Sequence, residues 1–400
     1  MEQAADLLRD RGLDGVTMRA LAEATGLPAA TIQYQFGSKE RLLIAAISCL
    51  RDRHAHRLKN LAHYFARSAG GYSDLADVMI CTLGLGDREE RTEQLAMFEC
   101  MAQALRSPRL FPAIESWTSQ LSAFWQDIAA RNREGSAKGV FLFELHLGLM
   151  LHMSGIEPAV EGQLLAQEIV GRALRPAGQR RPPVWFRSAL RNTLASPVPW
   201  LKADAPRTAT ARQIVAAAMR MAIDEGPGAL SFRTVAARAK TSVSAIAHYF
   251  STRHELLYAT YRAIHEEIIA FTRSVGVASE QRYDSELAER IVTYSGDSRV
   301  SLLVAYSEFE LVAARDPEFS ALTRYFRMTR GLYHTRRHEP GFDAFGDAAF
   351  DVFALSFWMV GHALRMALQR HLPGEAGQAD PDAVAFGFAQ FAVQESGVGQ

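Results

Sequence analysis

The sequence lacks the features that mark secreted, membrane and metal-stapled proteins. Its three cysteines, Cys49, Cys81 and Cys100, form no C-x-x-C pair, which argues against a disulfide framework or a structural zinc site and fits a reducing compartment. The longest charge-free apolar run, Val352 to Leu364, has 13 residues, whereas a membrane-spanning helix needs about 20. No secretory signal pattern opens the chain. We therefore expect a soluble, cytoplasmic protein.

Net charge and catalytic motifs are also missing. The 44 Lys and Arg balance 44 Asp and Glu, which argues against a wholly basic nucleic-acid coat but allows a local basic face. There is no Gly-x-Ser-x-Gly elbow, phosphate-cradling loop or paired-carboxylate arrangement. The pairs His54/His56 and His334/His338 have spacings that a metal could use, but both lie among arginines, so we expect solvated surfaces. We predict no enzyme, no metal and no cofactor.

The pattern that is present is helical. Apolar residues recur at three- and four-residue spacings over Leu42–Leu61, Thr92–Leu105, Trp117–Ala130 and Ala348–Leu368. No stretch shows the two-residue alternation between hairpin turns that is typical of strands. A length of 400 residues predicts two to four domains. We predict an all-α fold with several domains.

The chain repeats itself. A shift of 214 residues produces nine identities in forty ungapped positions, among them Gly12 with Gly226 and Phe36 with Phe250. Further along, a shift of 209 aligns three more identical pairs. They are Glu99 with Glu308, Arg106 with Arg315, and Pro108 with Pro317. The sequence therefore reads as two copies of one unit of about 180 residues.

A basic, proline-rich stretch separates the copies. Residues 169–203 contain seven Lys and Arg, five prolines and no acid. The prolines stiffen the segment, and Val184–Leu194 can form a short helix around Trp185 and Phe186. We predict a linker with local structure, whose cations are either solvated or add contacts to phosphates.

Each copy opens with the pattern of a helix-turn-helix. In the first, Thr17 can cap a helix over Met18–Thr25, and Gly26 suits the left-handed turn position. Pro28 fits the first turn of a second helix, Pro28–Phe36. That helix buries Ile32 and Phe36, and its other face carries the small and polar side chains that suit a DNA major groove. They are Ala29, Ala30, Thr31, Gln33, Tyr34 and Gln35.

These residues resemble the DNA-binding domain of the TetR family of transcriptional regulators. The resemblance rests on three stretches, Thr17–Ala22, Thr25–Pro28 and Thr31–Glu40, and it occurs twice. The second copy departs from the pattern. Lys240 replaces the turn glycine, which is Gly26 in copy one. Ser244 and Ala245 replace the pair of a small residue and a threonine, Ala30 and Thr31. Arg253 stands where the family has Lys. In the first copy Met1 aligns with Val215, so we expect its opening helix to be about one turn shorter.

The resemblance implies two tandem TetR-like units, each a three-helix DNA-binding domain followed by a helical ligand-binding and dimerisation domain. The expected domains are residues 1–48 and 49–175 for copy one, 176–206 for the linker, and 207–262 and 263–396 for copy two. Thr31 and Gln33 are candidate base readers, and Tyr34 and Lys39 candidate phosphate contacts. The full set of expected DNA contacts is Thr17, Arg19, Ala29, Thr31, Gln33, Tyr34, Gln35, Lys39, Ser231, Arg233, Ser242, Ser244, Ala245, His248, Tyr249 and Arg253.

The resemblance also implies a small-molecule effector, for which the sequence offers a largely apolar site. Aromatic, methionine and histidine residues in the helical domains are candidate ligand contacts, although such residues also serve as ordinary core. They are Met97, Met101, Trp117, Trp125, His146, Tyr306, Phe309, Phe326, Tyr333, Trp358 and His362. Glu144, His146 and His152 interrupt an apolar helix, and they either line a pocket or pair across a helix interface.

We therefore expect a transcriptional regulator, a repressor that a small molecule releases from double-stranded DNA. The two copies are expected to pair within the chain through Val140–Met153 with Ala159–Leu174, and Ala348–Leu368 with Pro381–Val393. Because their exposed recognition faces differ, the operator should be asymmetric. The alternative is a helical ligand- or partner-binding protein whose helix-turn-helix units no longer bind DNA.

Overall fold

A computed structural model describes residues 1–67, 74–196, 208–276, 297–330, 347–371 and 381–391. These residues form eighteen α-helices and their connecting turns, and no strand occurs among them. The predicted all-α fold is confirmed. Within the same residues, no helix combines the length and apolarity that a bilayer crossing requires.

The helices follow the two copies in order. Copy one contains α1 (Glu2–Gly15), α2 (Met18–Thr25), α3 (Ala29–Phe36), α4 (Lys39–Arg67), α5 (Leu75–Leu83), α6 (Arg88–Ala104), α7 (Phe111–Arg131), α8 (Ser136–Met153) and α9 (Ala159–Leu174). Helix α10 (Val184–Ala195) lies between the copies. Copy two contains α11 (Ala209–Glu225), α12 (Phe232–Arg238), α13 (Val243–Tyr249), α14 (Arg253–Gly276), α15 (Asp297–Arg315), α16 (Pro317–Met328), α17 (Asp347–Gln369) and α18 (Pro381–Phe391).

Local sequence signals set the helix boundaries of the two helix-turn-helix segments. The Thr17 hydroxyl accepts the Ala20 N–H at 3.0 Å, which caps α2 as predicted. Gly26 ends that helix at φ +68°. Pro28 lies one position earlier than expected, because it precedes α3 as its N-cap residue and is not part of its first turn.

The same turn exists in copy two without a glycine. Lys240 has φ +53°, close to the conformation of Gly26, and the Thr241 N–H donates to the Ala236 carbonyl at 3.0 Å. A non-glycine residue in this conformation costs on the order of 1 kcal/mol. The substitution therefore leaves the turn geometry in place at a cost in stability.

Helix α8 of copy one packs along α17 of copy two, and α18 packs against both. The backbones of α8 and α17 approach each other closely where they cross, because each helix has a glycine at the contact. A β-carbon at Gly148 would lie 1.9 Å from the Phe357 carbonyl oxygen, and one at Gly361 would lie 1.7 Å from that of Glu144. Buried apolar residues continue from copy one into α17 and α18, so the two copies share a hydrophobic core.

The described part of the linker contains a helix that packs against the rest of the protein. Helix α10 matches the predicted short helix, and its Phe186 is fully buried, with its ring 4.5 Å from that of Phe353. Arginines near the linker also bind within the chain. Arg172 pairs with buried Asp351, and the Arg180 Nη2 group donates to the Gln390 carbonyl at 3.3 Å. Residues 197–206 of the predicted linker lie outside the described residues.

Candidate DNA-binding surface and buried polar clusters

Helix α3 separates buried from exposed side chains as its sequence predicts. Ile32 and Phe36 are only 2% and 8% exposed, and they fix the helix on its domain. The opposite face is open, and the Tyr34 side chain is 93% exposed. The other exposed candidates of this region are Arg19, Ala29, Thr31, Gln33, Gln35 and Lys39. The exposed face of α3 therefore begins with small side chains and continues with polar ones.

Three of these candidates already have partners within the domain. Thr17 is half-buried and caps α2. The Arg19 guanidinium pairs with Glu23 one turn away at 2.9 Å, and the Gln33 amide donates to the Gly37 carbonyl at 2.7 Å. An Arg–Glu pair on a solvated helix face is weak, so Arg19 can exchange Glu23 for a phosphate at little cost.

Helix α13 presents a different face. The Ser242 hydroxyl accepts the Ala245 N–H at 3.1 Å and lies 2.8 Å from the Ser244 hydroxyl. His248 is exposed, with its ring edge-on to half-buried Tyr249. The small, hydroxyl and imidazole groups of α13 replace the threonine, amide and phenol groups of α3.

The remaining copy-two candidates lie around this helix and differ in how free they are. Ser231 caps α12 in a reciprocal pair with Thr234, and Arg233 is exposed. Arg253 is held by its own domain, because its Nε donates to the Leu230 carbonyl at 2.8 Å and its Nη2 to the Pro227 carbonyl at 3.4 Å. A phosphate contact by Arg253 would have to compete with these bonds.

The effector candidates of copy one are all buried in its core: Met97, Met101, Trp117, Trp125 and His146 are 2% exposed or less. The rings of Trp125 and His146 lie 5.6 Å apart. Burial lowers the pKa of His146 to about 3, with a smaller contribution from the charge of Arg57, so the ring is neutral. Copy one thus offers a largely apolar interior that includes the uncharged imidazole of His146.

The expectation of a solvated surface at His54 is wrong. His54 is buried, and its Nδ1 accepts the indole N–H of Trp117 at 3.1 Å. His56 is exposed on another face of α4, so the two rings cannot share a metal. No group of His, Cys, Asp and Glu within the described ranges could hold a metal ion, and His334 and His338 lie outside those ranges.

In copy two, Tyr306, Phe309 and Phe326 surround the ring of Tyr261. Their centroids are 5.0, 4.9 and 5.1 Å from that of Tyr261. The structure therefore brings these three candidates into one aromatic group with a residue that was not predicted. Tyr333 lies outside the described residues.

A buried polar cluster adjoins this group and was missed by the sequence reasoning. Glu310 is 2% exposed, accepts the Tyr261 hydroxyl at 2.9 Å and pairs with Arg327. Arg330 stands over the ring of Tyr306 and approaches Nε2 of His152, on α8 of copy one, at 2.9 Å. The 209-residue shift aligns Glu310 and Arg330 with apolar Met101 and Leu121. That mismatch between the copies was the signal available in the sequence.

Trp358 and His362 lie elsewhere, at the α8–α17 crossing, where they bind Glu144. The carboxylate accepts the Trp358 indole N–H at 2.7 Å, the His362 Nδ1–H at 2.8 Å and the Arg365 Nε–H at 2.6 Å. Burial alone would raise the pKa of Glu144, but His362 and Arg365 outweigh it and hold the pKa below its ordinary value. Of the two roles left open for Glu144, pairing across a helix interface is the one observed.

Comparisons with known proteins agree with the two helix-turn-helix segments. Residues 1–46 and 214–260 both match the family model of the bacterial regulatory proteins of the tetR family. A solved structure from Streptomyces coelicolor A3(2), provisionally named a transcriptional regulator, is 21% identical over 46% of this chain and 99% of its own, with a TM-score of 0.35. No curated protein matches the chain significantly. The family matches support a DNA-binding transcriptional regulator.

Proposed function

Because this chain contains two TetR-like units in tandem, we propose that it is a repressor that binds one asymmetric operator and leaves it when a small molecule binds. The observation that carries the proposal is the pair of recognition helices, α3 and α13. Each is fixed by a buried isoleucine, Ile32 or Ile246, and each exposes a face of small and polar residues.

Retention of the turn at Lys240 supports DNA binding by copy two. A turn that had lost its left-handed residue would reorient α13, whereas Lys240 keeps the conformation that Gly26 has in copy one. The polypeptide accepts a strained residue here, and strain of this kind persists where the surrounding structure enforces it. This weakens the alternative of a protein with degenerate helix-turn-helix units.

The differing faces of α3 and α13 support an asymmetric operator. Thr31, Gln33 and Tyr34 offer hydrogen-bonding groups that Ala245, Ala247 and His248 do not reproduce. Each good base contact discriminates by about 1–3 kcal/mol, so the two helices should prefer different half-sites. We expect unlike half-sites about one helical turn apart or slightly more.

The buried cluster around Glu310 and Arg330 supports effector binding in copy two. Arg330 Nη2 and His152 Nδ1 have no hydrogen-bond partner among the described residues. Buried polar groups without partners are costly, and a ligand with acceptor and donor groups would satisfy them. The surrounding aromatic rings suit a largely apolar molecule.

Selection of bound sequences from random duplexes by the full-length protein tests the DNA-binding proposal. We expect an asymmetric site, and we expect Tyr34→Ala to weaken binding about equally on all sequences with the salt slope unchanged, because the phenol is uncharged. Lys39→Ala, which removes a cation, should weaken binding in the same way and reduce the salt slope by about one. The matched control is Tyr64→Ala. It removes another exposed tyrosine, which lies roughly 37 Å from the start of α4. A palindromic site would contradict the asymmetry, and failure to select any sequence would favour the partner-binding alternative.

The release step is tested on the selected duplex with a library of small apolar compounds. A compound that dissociates the wild-type complex and not that of Arg330→Met supports the copy-two site. One that acts equally on both proteins places the effector elsewhere.

A further inference from the structure

Three of the identical pairs that reveal the sequence repeat come together in space. Gly12, Glu99 and Arg315 meet at one site, and Gly226, Glu308 and Arg106 meet at another. Each site draws its arginine from one copy and its glycine and glutamate from the other. We call these two sites the clasps.

The first clasp holds the DNA-binding domain of copy two. Arg106, just beyond the end of α6 in copy one, donates from Nη1 to Glu308 at 2.7 Å. Its Nε and Nη2 groups lie 3.4 and 3.3 Å from the Ile223 carbonyl oxygen, and Nη2 lies 3.4 Å from that of Ala222. Both carbonyls belong to the last turns of α11. The arginine of copy one therefore contacts the opening helix of the other copy's DNA-binding domain.

The second clasp repeats this arrangement in the opposite direction. Arg315, the last residue of α15 in copy two, pairs with Glu99 of copy one. Its Nη2 lies 3.3 Å from the Arg9 carbonyl oxygen, and its Nη1 lies 3.5 Å from that of Asp10. The 214-residue shift places Arg9 on Ile223, so both arginines reach the same carbonyl of equivalent helices. The two clasps are related by the pseudo-symmetry of the copies.

Helix chemistry explains why an arginine suits this position. The backbone of α1 is non-helical at Gly12, so the carbonyls of Arg9 and Asp10 end its first segment. The final carbonyls of a helix lack intrahelical partners and carry the negative end of the helix dipole. A planar guanidinium can bind such carbonyls and a carboxylate together, which a lysine ammonium does less well. Burial raises the pKa of Glu99 and Glu308, and the hydrogen bond and charge of the paired arginine oppose that rise.

The glycines give the glutamates room. Gly12 and Gly226 have φ of +66° and +88°, and each lies three residues after the carbonyl that both arginines reach, that of Arg9 or Ile223. A β-carbon at Gly12 would lie 2.5 Å from the Glu99 carboxylate, and one at Gly226 would lie 3.1 Å from that of Glu308. The left-handed backbone thus favours glycine at both positions, and a side chain there would also displace the neighbouring carboxylate.

We propose that Arg106 and Arg315 are positioning residues, each fixing the DNA-binding domain of the opposite copy and thereby setting the spacing of the two recognition helices. Neither residue needs to touch DNA. The clasps also give movement in the helical body of one copy a direct route to the DNA-binding domain of the other. The consequence for DNA spacing rests on the proposed function, whereas the clasp contacts themselves do not.

Hydrogen exchange on the full-length, DNA-free protein tests the cross-copy contact. In Arg106→Gln we expect amides in the last turns of α11 to exchange about tenfold faster, the factor that loss of a charge-assisted hydrogen bond implies, with α1 unchanged. Arg315→Gln should give the converse, and Arg106→Lys should restore part of the protection. Arg88→Gln, an exposed arginine at the other end of α6, is the control. Equal acceleration in both domains, or none, would overturn the proposal.

Binding to operator duplexes whose half-sites are moved apart one base pair at a time tests the effect on spacing. The wild type should show a sharp optimum. The Arg106→Gln/Arg315→Gln double variant should lose about tenfold at that optimum and bind the neighbouring spacings nearly as well. An unchanged spacing profile in the double variant would refute the positioning role. A wild type that binds no duplex would refute the proposed function, while the exchange experiment would still decide whether the clasps exist.

Discussion

The glycine crossing of α8 and α17 offers the sharpest test of how the two copies are joined. A β-carbon added at Gly148 would lie 1.9 Å from the Phe357 carbonyl oxygen, and contacts under 3.0 Å essentially never occur, so the helices must separate by at least about 1.1 Å. The neighbour is backbone and cannot rotate away. Overpacking of this kind costs about 1–3 kcal/mol. Alanine's better helix propensity offsets at most about 1 kcal/mol of it.

A backbone contact at 1.9 Å puts the overpacking cost in the upper part of that range, so we expect Gly148→Ala to reduce the free energy of unfolding by about 1–2 kcal/mol after an offset of about 1 kcal/mol. Gly171→Ala is the matched control, because a β-carbon at Gly171, in α9, would meet nothing within 4 Å. It should raise the free energy of unfolding by about 0.5–1 kcal/mol through propensity alone. Urea unfolding followed by circular dichroism measures both changes. A Gly148→Ala variant as stable as the wild type or more so would show that α8 and α17 do not cross at Gly148.

Three further changes probe single buried or strained groups. Glu144→Ala should cost about 3–5 kcal/mol in urea unfolding, because it leaves Arg365 and two other donors without their acceptor; a loss under about 1 kcal/mol would contradict this. Lys240→Gly should stabilise the protein by about 1 kcal/mol by relieving the left-handed residue, whereas Gly26→Ala should destabilise it, and thermal melting compares the two. His146 stays neutral in the folded state down to about pH 3 but takes up a proton near pH 6.5 when unfolded, so stability should fall as pH drops through that window. His146→Gln should flatten the fall, by up to about 1.4 kcal/mol per pH unit, and an unaltered pH profile of urea unfolding would refute the assignment.

Several helices, the Thr17 cap and the repeat could be predicted from the amino-acid sequence alone. These features depend on residues a few positions apart: the i, i+4 pair Ile32 and Phe36, the Thr17 cap and the left-handed turn at Gly26. Patterns of this kind can be recognised without the tertiary structure, because all the residues involved are close in sequence. The same reasoning located the short helix that became α10.

The burial and the partners of individual polar side chains depend on tertiary contacts that local sequence does not specify. His54 was expected on a solvated surface because arginines flank it in sequence, yet its ring is buried and accepts the indole N–H of Trp117, 63 residues further along the chain. Glu310 is buried because Arg327 and Tyr261 meet it there. A charged group can be buried only where partners satisfy it, and no local pattern identifies partners that are distant in sequence.

The repeat illustrates the difference between what sequence alignment shows and what tertiary contacts show. Sequence alone aligned Glu99 with Glu308 and Arg106 with Arg315, but it could not say that each arginine binds the other copy's glutamate, about 200 residues away along the chain. The identical residues of the two copies can be found by aligning the sequence with itself. Contact between them follows from how α6 and α15 lie against each other when the shared core forms, because burial of apolar surface is non-directional and only the packed helices bring these charges together.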